Sequence, residues 1–327
     1  MSVGTACARS YRAEDVMSDE QSWLHHEVGK KLSNWGRWGA DDEIGTLNLV
    51  TPEKVVAAAG LVRTGKRIDL GMPFDKDGPQ DGSFRINPVH TMTWTPLDTA
   101  GMPDGMISAD DMVVMGLQCA TQWDILAHVG YGGFFYNGVP SAAVTPGRGA
   151  AKNSFAKAND HLISRGVLLD VAALKGVDTL PDSYEVTGAD LSGAEARQGV
   201  SVEPGDILCL RTGWYRYFLD GDKKRFGSGP EAGAGLDALQ WFRDRDIAAV
   251  AMDNWAFEVY PSPVEGSVIP VHQAAIRDIG LTVGEMFNFE ELAADSAADG
   301  VYEFLFSGTG LKVSNSVGSP VTPIAIK

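Results

Sequence analysis

The amino-acid sequence predicts a single domain of mixed α/β class. Apolar runs at 166–171, 205–214 and 247–253 are short and bounded by glycine or polar residues, which indicates buried strands. Helical patterns occupy 187–198 and 236–243. No internal repeat, low-complexity tract or clear linker divides the chain, so these strands and helices are expected to share one core.

Composition narrows the class of protein. Of its 327 residues, 44% are hydrophobic and 21% are charged, enough for a substantial core. The net charge of -16 argues against nucleic acid or an anionic membrane as a partner. No stretch is apolar enough to cross a bilayer or to form a signal peptide, so we expect a cytoplasmic protein. Cys7, Cys119 and Cys209 have neither metal-site spacing nor the pattern of a disulfide framework.

The beginning of the chain is expected to combine a leader, a loop and a helix. Residues 1–20 are polar without a clear period and predict a flexible leader, so the domain itself would span 21–327. A stretch rich in glycine and tryptophan at 35–48 predicts a structured loop. Thr51–Pro52 then supply an N-cap and a first helical residue for a helix that ends near Gly60.

The remaining elements follow from the same kinds of pattern. Strands are expected at 67–70 and 112–124, and the first is separated from the second by loops. A loop of glycines and aromatic residues at 128–138 could act as a lid or form a packed turn. Towards the end of the chain we expect a helix from His272 to Asp278 that stops at Gly280, a strand at 281–285, and two strands after Tyr302.

The most informative segment is the predicted strand that ends at Asp124. The polar side chains Gln118, Gln122, Asp124 and His128 stand at even positions, whereas most odd positions are apolar. Because successive side chains of a strand point to opposite faces, one face would display two amides, a carboxylate and an imidazole. These groups can bind a metal such as Mn or Zn through Gln122 and Asp124. The alternative is a structural pair of Asp124 with His128.

A second group of candidate residues lies near the end of the chain. His272 begins a predicted helix and Glu285 ends a predicted strand, so the two could join the first cluster. The alternatives are a structural histidine and a surface carboxylate. His90, just before a strand, either lines a pocket or makes a loop hydrogen bond. No glycine-rich nucleotide loop and no Gly-x-Ser-x-Gly elbow is present, which disfavours nucleotide cofactors and α/β-hydrolase chemistry.

These residues resemble the signature of the cyclase family of metal-dependent hydrolases, which includes bacterial kynurenine formamidase and isatin hydrolase. The family pattern His-x-Gly-Thr-His-x-Asp-x-Pro-x-His corresponds here to residues 118–128, and its later Pro-Val-His and Glu correspond to 270–272 and Glu285. The resemblance covers roughly 35–327. Further matching segments are Gly205–Leu208, Arg211–Trp214, Asp253 and Gly318–Val321.

The resemblance implies a swivelling β/β/α fold, assembly into a homodimer or homotetramer, and hydrolysis of an amide or similar carbonyl bond. It implies that Asp124 and Glu285 are metal ligands and that Gln122 occupies the position of a ligand histidine. His128 corresponds to the general base. His272 corresponds to a residue that binds metal in some members and substrate in others.

This chain departs from the family pattern at two histidine positions, which are Gln118 and Gln122 here. The change disfavours a two-zinc site and favours one divalent ion per chain with mostly oxygen donors, Mn²⁺ before Zn²⁺. The interval from His272 to Glu285 is also one residue longer than the family pattern.

We therefore expect hydrolysis of a small cyclic or aromatic amide, imide, lactone or related carbonyl compound. The alternatives are a metal-dependent lyase or isomerase that uses the same site, and a non-catalytic small-molecule binding protein. The residues expected to contact the substrate are mainly aromatic, and they are His90, Trp94, Trp123, Phe134, Phe135 and Trp255.

Overall fold

The computed structural model describes residues 23–327, and the leader predicted at 1–20 lies outside them. The strands are β1 (Arg67–Asp69), β2 (Val89–Trp94), β3 (Asp110–Val114), β4 (Gln122–Asp124), β5 (Val144–Thr145), β6 (Gly149–Ala150), β7 (Ile163–Asp170), β8 (Glu185–Val186), β9 (Ile207–Arg211), β10 (Gly233–Ala234), β11 (Ala249–Met252), β12 (Thr282–Glu285), β13 (Glu303–Ser307), β14 (Gly318–Pro320) and β15 (Ile324–Ile326). The helices are α1 (Leu24–Leu32), α2 (Pro52–Ala59), α3 (Phe155–Ala158), α4 (Val171–Lys175), α5 (Gly188–Gln198), α6 (Tyr215–Leu219), α7 (Lys223–Ser228), α8 (Ala238–Asp244), α9 (Pro270–His272) and α10 (Glu290–Asp299).

A nine-stranded mixed sheet forms the centre of the fold, in the order β1-β15-β13-β7-β9-β11-β12-β4-β14. Strands β7, β9, β11 and β12 run parallel to one another. The strands on both sides of this parallel group pair in antiparallel fashion. Parallel strands are usually covered on both faces, and the central strands here are indeed buried along their whole length. The predicted mixed α/β class is confirmed.

Helix caps predicted from the sequence are present in the structure. The Thr51 side chain accepts a hydrogen bond from the backbone N–H of Lys54, and Pro52 is the first residue of α2. Helix α5 begins with a capping box between Thr187 and Asp190 and ends at Gly199, whose φ of 65° is the left-handed conformation that glycine tolerates. None of the helices in the described part of the chain has the length and apolarity of a membrane span.

The long strand predicted at 112–124 is wrong, because the structure divides this segment between two sheets. Strand β3 pairs with β2 in a separate hairpin, whereas β4 lies between β12 and β14 in the central sheet. The chain must turn between these two sheets, and Gln118 lies in that turn. His128 likewise lies beyond the end of β4. Only Gln122 and Asp124 therefore share a strand face.

The helix predicted from His272 to Asp278 starts earlier than expected. It begins as α9 at Pro270 and continues as a π-helix over Gln273–Ile279. Gly280 ends it with a φ of 72°, as the sequence predicts. The π-helix and the turn at Gly280 thus connect His272 to β12.

Candidate metal centre

The pairing of β4 with β12 brings two predicted ligands together. The two strands are antiparallel, and Gln122 lies directly opposite Glu285. Side chains of directly opposed residues lie on the same face of a sheet, so the Gln122 amide meets the Glu285 carboxylate. Its Nε2 donates to Glu285 Oε2 at 2.6 Å. Asp124, two residues along the same strand, adds its carboxylate to this buried face.

Glu258 holds His272 in position beside these carboxylates. One Glu258 carboxylate oxygen accepts hydrogen bonds from the His272 backbone N–H at 2.8 Å and from Nδ1 at 2.6 Å. The other oxygen accepts from the Val271 backbone N–H at 3.0 Å. With its proton on Nδ1, the imidazole turns Nε2 towards Glu285 Oε1, 3.1 Å away. A carboxylate that fixes a histidine in this way is typical of metal-binding histidines.

The donor atoms of Asp124, His272 and Glu285 converge. One ligand atom from each residue lies within 4.8 Å of the others, and all three residues are buried. Two buried oxygens of this face, Gln122 Oε1 and Asp124 Oδ2, receive no hydrogen bond from any residue in 23–327. Buried polar atoms are normally satisfied, so these orphaned oxygens fit a cation. The set consists of oxygens and one imidazole nitrogen, which suits a divalent ion such as Mn²⁺.

The buried charges of the cluster also favour binding of a cation. Burial, followed by the charge of Glu285, raises the pKa of Asp124. Burial acts to lower the pKa of His272, but its hydrogen bonds to Glu258 and Glu285 outweigh burial and raise this pKa to about 10. Two carboxylates and a protonated imidazole thus occupy a space from which water is largely excluded.

His128 is placed to act on a molecule at this cluster. Its Nε2 lies 3.5 Å from Asp124 Oδ2, and its side chain is 20% exposed. A hydrogen bond from its backbone N–H to Ile125 O, 2.7 Å long, fixes the turn that carries it. Burial lowers the pKa of the imidazole, so His128 is neutral near pH 7 and can accept a proton.

A cavity of about 220 Å³ is connected to the cluster through Arg85, a residue that the sequence analysis did not identify. Arg85 and Trp255 both line this cavity. Arg85 Nη1 lies 3.8 Å from Glu285 Oε2, which places the guanidinium beside the carboxylates. Neither Arg85 nor Glu258 belongs to a strand or helix with a period, so no spacing signal could have identified them.

The structure distributes the predicted substrate-contacting residues over four places. Trp255 lines the cavity beside Arg85. Trp123 does not, because it lies on the opposite face of β4 and packs against Phe287, with ring centroids 5.1 Å apart. His90 and Trp94 lie on the exposed β2, where His90 pairs with Asp111.

The last two predicted contact residues belong to the glycine-aromatic loop. Phe134 is exposed and pairs through its backbone with Tyr131 and Pro140. Phe135 is partly buried, and its ring packs against the Gly130 backbone. Neither residue touches the metal ligands among the described contacts. The loop forms a turn held by these backbone pairs, and a role as a lid stays a prediction.

Comparison with known proteins identifies cyclases as the proteins that this chain is similar to. The model of the Cyclase family matches residues 68–259. A solved structure described as a novel cyclase is 42% identical, with a TM-score of 0.86 over 91% of this chain and 99% of that chain. Isatin hydrolase A from Labrenzia aggregata, bound to benzyl benzoate, has a TM-score of 0.58 at 16% identity and covers 84% of this chain and 99% of its own. Isatin hydrolase A from Ralstonia solanacearum has the same TM-score and identity, over 84% of this chain and 97% of its own.

The two isatin hydrolases share the fold with this chain, and at 16% identity they show no more than that. No curated protein sequence matches.

Proposed function

This chain belongs to the cyclase family, and we propose that it is a metal-dependent hydrolase. Its substrate would be a small cyclic or aromatic molecule in which an amide, imide, lactone or related carbonyl bond is opened. The observation that carries this proposal is the convergence of Asp124, His272 and Glu285 next to a neutral His128. Cyclase-family structures related in fold include hydrolases, which supports the reaction class.

The residues assigned to hold the ion are Asp124, Glu285 and His272. Gln122 would add its Oε1 after a turn of the amide, since its Nε2 now donates to Glu285 Oε2. A bound divalent ion would supply Lewis-acid polarisation of the substrate carbonyl and would lower the pKa of water. We favour Mn²⁺ over Zn²⁺, because oxygens outnumber nitrogens among these donors and no described thiolate is near them.

The chain's own groups supply the proton transfers. His128 is neutral near pH 7, so it accepts the proton of the attacking water and returns it to the departing nitrogen or oxygen. Glu258 keeps His272 in one tautomer and one orientation throughout. Trp255 lines the cavity and offers an apolar wall for a ring of the substrate.

The metal content of the purified protein tests the proposal. Inductively coupled plasma mass spectrometry should find about one Mn or Zn per chain in the wild type and none in Asp124→Asn, which removes one ligand charge. Asp111→Asn is the matched control, because Asp111 is an exposed carboxylate on β3 and should not affect metal content. A wild-type protein that binds no metal even after reconstitution contradicts the proposal and favours a small-molecule binding protein.

Labelled water separates hydrolysis from a lyase or isomerase reaction at the same residues. Once a substrate is identified, hydrolysis in ¹⁸O-water must place solvent oxygen in the product, because the attacking water becomes part of the new carboxylate. A product without the label excludes hydrolysis.

We further propose that the protein is a cytoplasmic homodimer or homotetramer. The hairpin of β2 and β3 supports assembly, because all of its strand residues are exposed and several are apolar. Cys119 and Cys209 are both free thiols, which is compatible with a reducing compartment.

A further inference from the structure

Arg85 is a cation whose hydrogen-bonding capacity is largely unused within residues 23–327. Its side chain is 16% exposed, and Nη1 donates one hydrogen bond, to the backbone oxygen of Gln118 at 3.1 Å. Glu285 Oε2 is 3.8 Å from the same nitrogen, beyond hydrogen-bond distance. A guanidinium has five N–H donors in a fixed fork, so most of them remain for a ligand.

The surroundings keep Arg85 in place. The guanidinium carbon lies 5.4 Å from the ring centroid of Phe84 and 5.4 Å from that of Trp255. Asn87 closes the loop that carries Arg85, because its side chain accepts from Gln80 N at 2.8 Å and donates to Gln80 O at 2.9 Å. An arginine held in this way loses little side-chain freedom when it binds a ligand.

Trp255, which also lines this cavity, carries a second unused donor. Its indole Nε1 is buried, and none of the residues that the structure describes accepts a hydrogen bond from it. Buried donors normally have an acceptor, so this N–H also fits an acceptor atom of a ligand. The cavity of about 220 Å³ is large enough for one small ring with its substituents.

Two carboxyl groups that line the cavity have their described hydrogen bonds to groups other than Arg85. Asp81 accepts hydrogen bonds from the backbone and hydroxyl of Ser83 and is itself exposed. Glu231 accepts from the backbone N–H groups of Trp255 and Ala256. Burial raises the pKa of Glu231 well above its usual value, which favours its neutral form.

We infer that Arg85 and the Trp255 indole form an anion subsite, and that the substrate is a small molecule with a carboxylate that binds there. This inference rests on the proposed function, since it places a second group of the same substrate beside the reacting carbonyl. Hydrolysis breaks the bond between the carbonyl carbon and nitrogen or oxygen, adds the water oxygen to that carbon, and moves a proton to the leaving atom. The carboxylate at Arg85 is a separate group that stays unchanged and orients the substrate.

Isothermal titration calorimetry with two matched pairs of probes tests the inference. The pairs are succinamate with succinamide and 2-carbamoylbenzoate with phthalamide, which differ in one negative charge. Mn²⁺-loaded wild type should bind the carboxylate of at least one pair about 10- to 100-fold more tightly than its amide. Arg85→Gln should remove this preference, and Arg85→Lys should keep part of it.

The control is Arg67→Gln, which removes the same charge from an exposed position on β1, at the far edge of the sheet. It should keep the wild-type preference. Equal binding of both members of each pair by the wild type overturns the inference. A preference that persists in a folded Arg85→Gln protein also overturns it, because the metal would then account for carboxylate binding.

The same titrations on metal-free protein separate this inference from the proposed function. A wild type that binds no metal but still prefers carboxylates, with the preference lost in Arg85→Gln, supports the anion subsite and contradicts the metal-dependent hydrolase. Normal metal content without any carboxylate preference supports the metal-dependent hydrolase and contradicts the anion subsite.

Discussion

Replacement of Glu258 by glutamine tests whether this residue orients His272 for metal binding. The Glu258 carboxylate accepts three hydrogen bonds, two from backbone N–H groups and one from the imidazole Nδ1. Glutamine has nearly the same shape, but one of its two terminal groups is an NH₂ donor. At least one of the three N–H groups must therefore lose its acceptor, and the negative charge beside His272 disappears.

The structure sets the size of the expected effect. A buried N–H without an acceptor costs about 1–3 kcal/mol, so Glu258→Gln should lower the free energy of unfolding by about that amount. Loss of the carboxylate that orients a ligand histidine typically weakens metal binding about 10- to 100-fold. We expect both effects, because the hydrogen bond of 2.6 Å between His272 Nδ1 and Glu258 Oε1 is buried.

Competition with a fluorescent chelator measures the Mn²⁺ dissociation constant, and urea unfolding measures stability. Glu231→Gln is the matched control, because Glu231 is also buried and accepts two backbone N–H groups, from Trp255 and Ala256, without touching His272. Both N–H groups bond to Oε2 of Glu231, so the amide oxygen of glutamine can keep both hydrogen bonds, and this control should keep its Mn²⁺ affinity. Unchanged Mn²⁺ affinity in Glu258→Gln, or an equal loss in both variants, refutes an orienting role for Glu258.

Two further predictions concern regions away from the metal centre. Burial, followed by the charge of the neighbouring His25, lowers the pKa of His26 from 6.5 to about 4. Between these pH values the unfolded chain binds one proton more than the folded chain. The free energy of unfolding therefore falls as the pH drops from 6.5 to 4. His26→Phe, which can keep the stacking on Tyr131, should reduce this pH dependence in urea unfolding by roughly 1 kcal/mol, and an unchanged slope contradicts the assignment. Leu97 and Ile107 are 86% and 77% exposed between β2 and β3. Serine at both positions should shift sedimentation velocity from oligomer towards monomer, whereas a monomeric wild type contradicts the proposed assembly.

Local patterns predicted the site only where it is built from one strand. Gln122 and Asp124 share a face because side chains alternate even in a strand of three residues. Gln118 and His128 fit the same alternation by number but lie in turns, since the chain leaves one sheet and enters another. The approach of Glu285 depends on its register with Gln122, which sequence spacing does not contain. The family resemblance supplied only its role as a ligand.

Residues that reach the site through tertiary contacts had no local signal. Glu258 and Arg85 lie in loops, so neither hydrophobic period nor motif spacing distinguishes them from surface charges. Helix α10 was missed for a related reason. Its preceding residue, Phe289, provides no side-chain cap, and few of its residues are buried.

Charge balance explains why these residue types occur together. Without a divalent ion, the pKa of Asp124 is raised by burial and by Glu285, and the pKa of His272 is raised to about 10 by its two carboxylate partners. Bound protons therefore offset the repulsion between carboxylates in the metal-free cluster. A divalent ion can replace these protons, because metal binding displaces protons from the ligands. Its two positive charges balance the two negative charges of Asp124 and Glu285. Arg85 then remains as the cation beside the cavity whose charge no described carboxylate within hydrogen-bond distance offsets. A substrate carboxylate can form with the guanidinium fork the paired hydrogen bonds that Glu285 Oε2, 3.8 Å away, does not form.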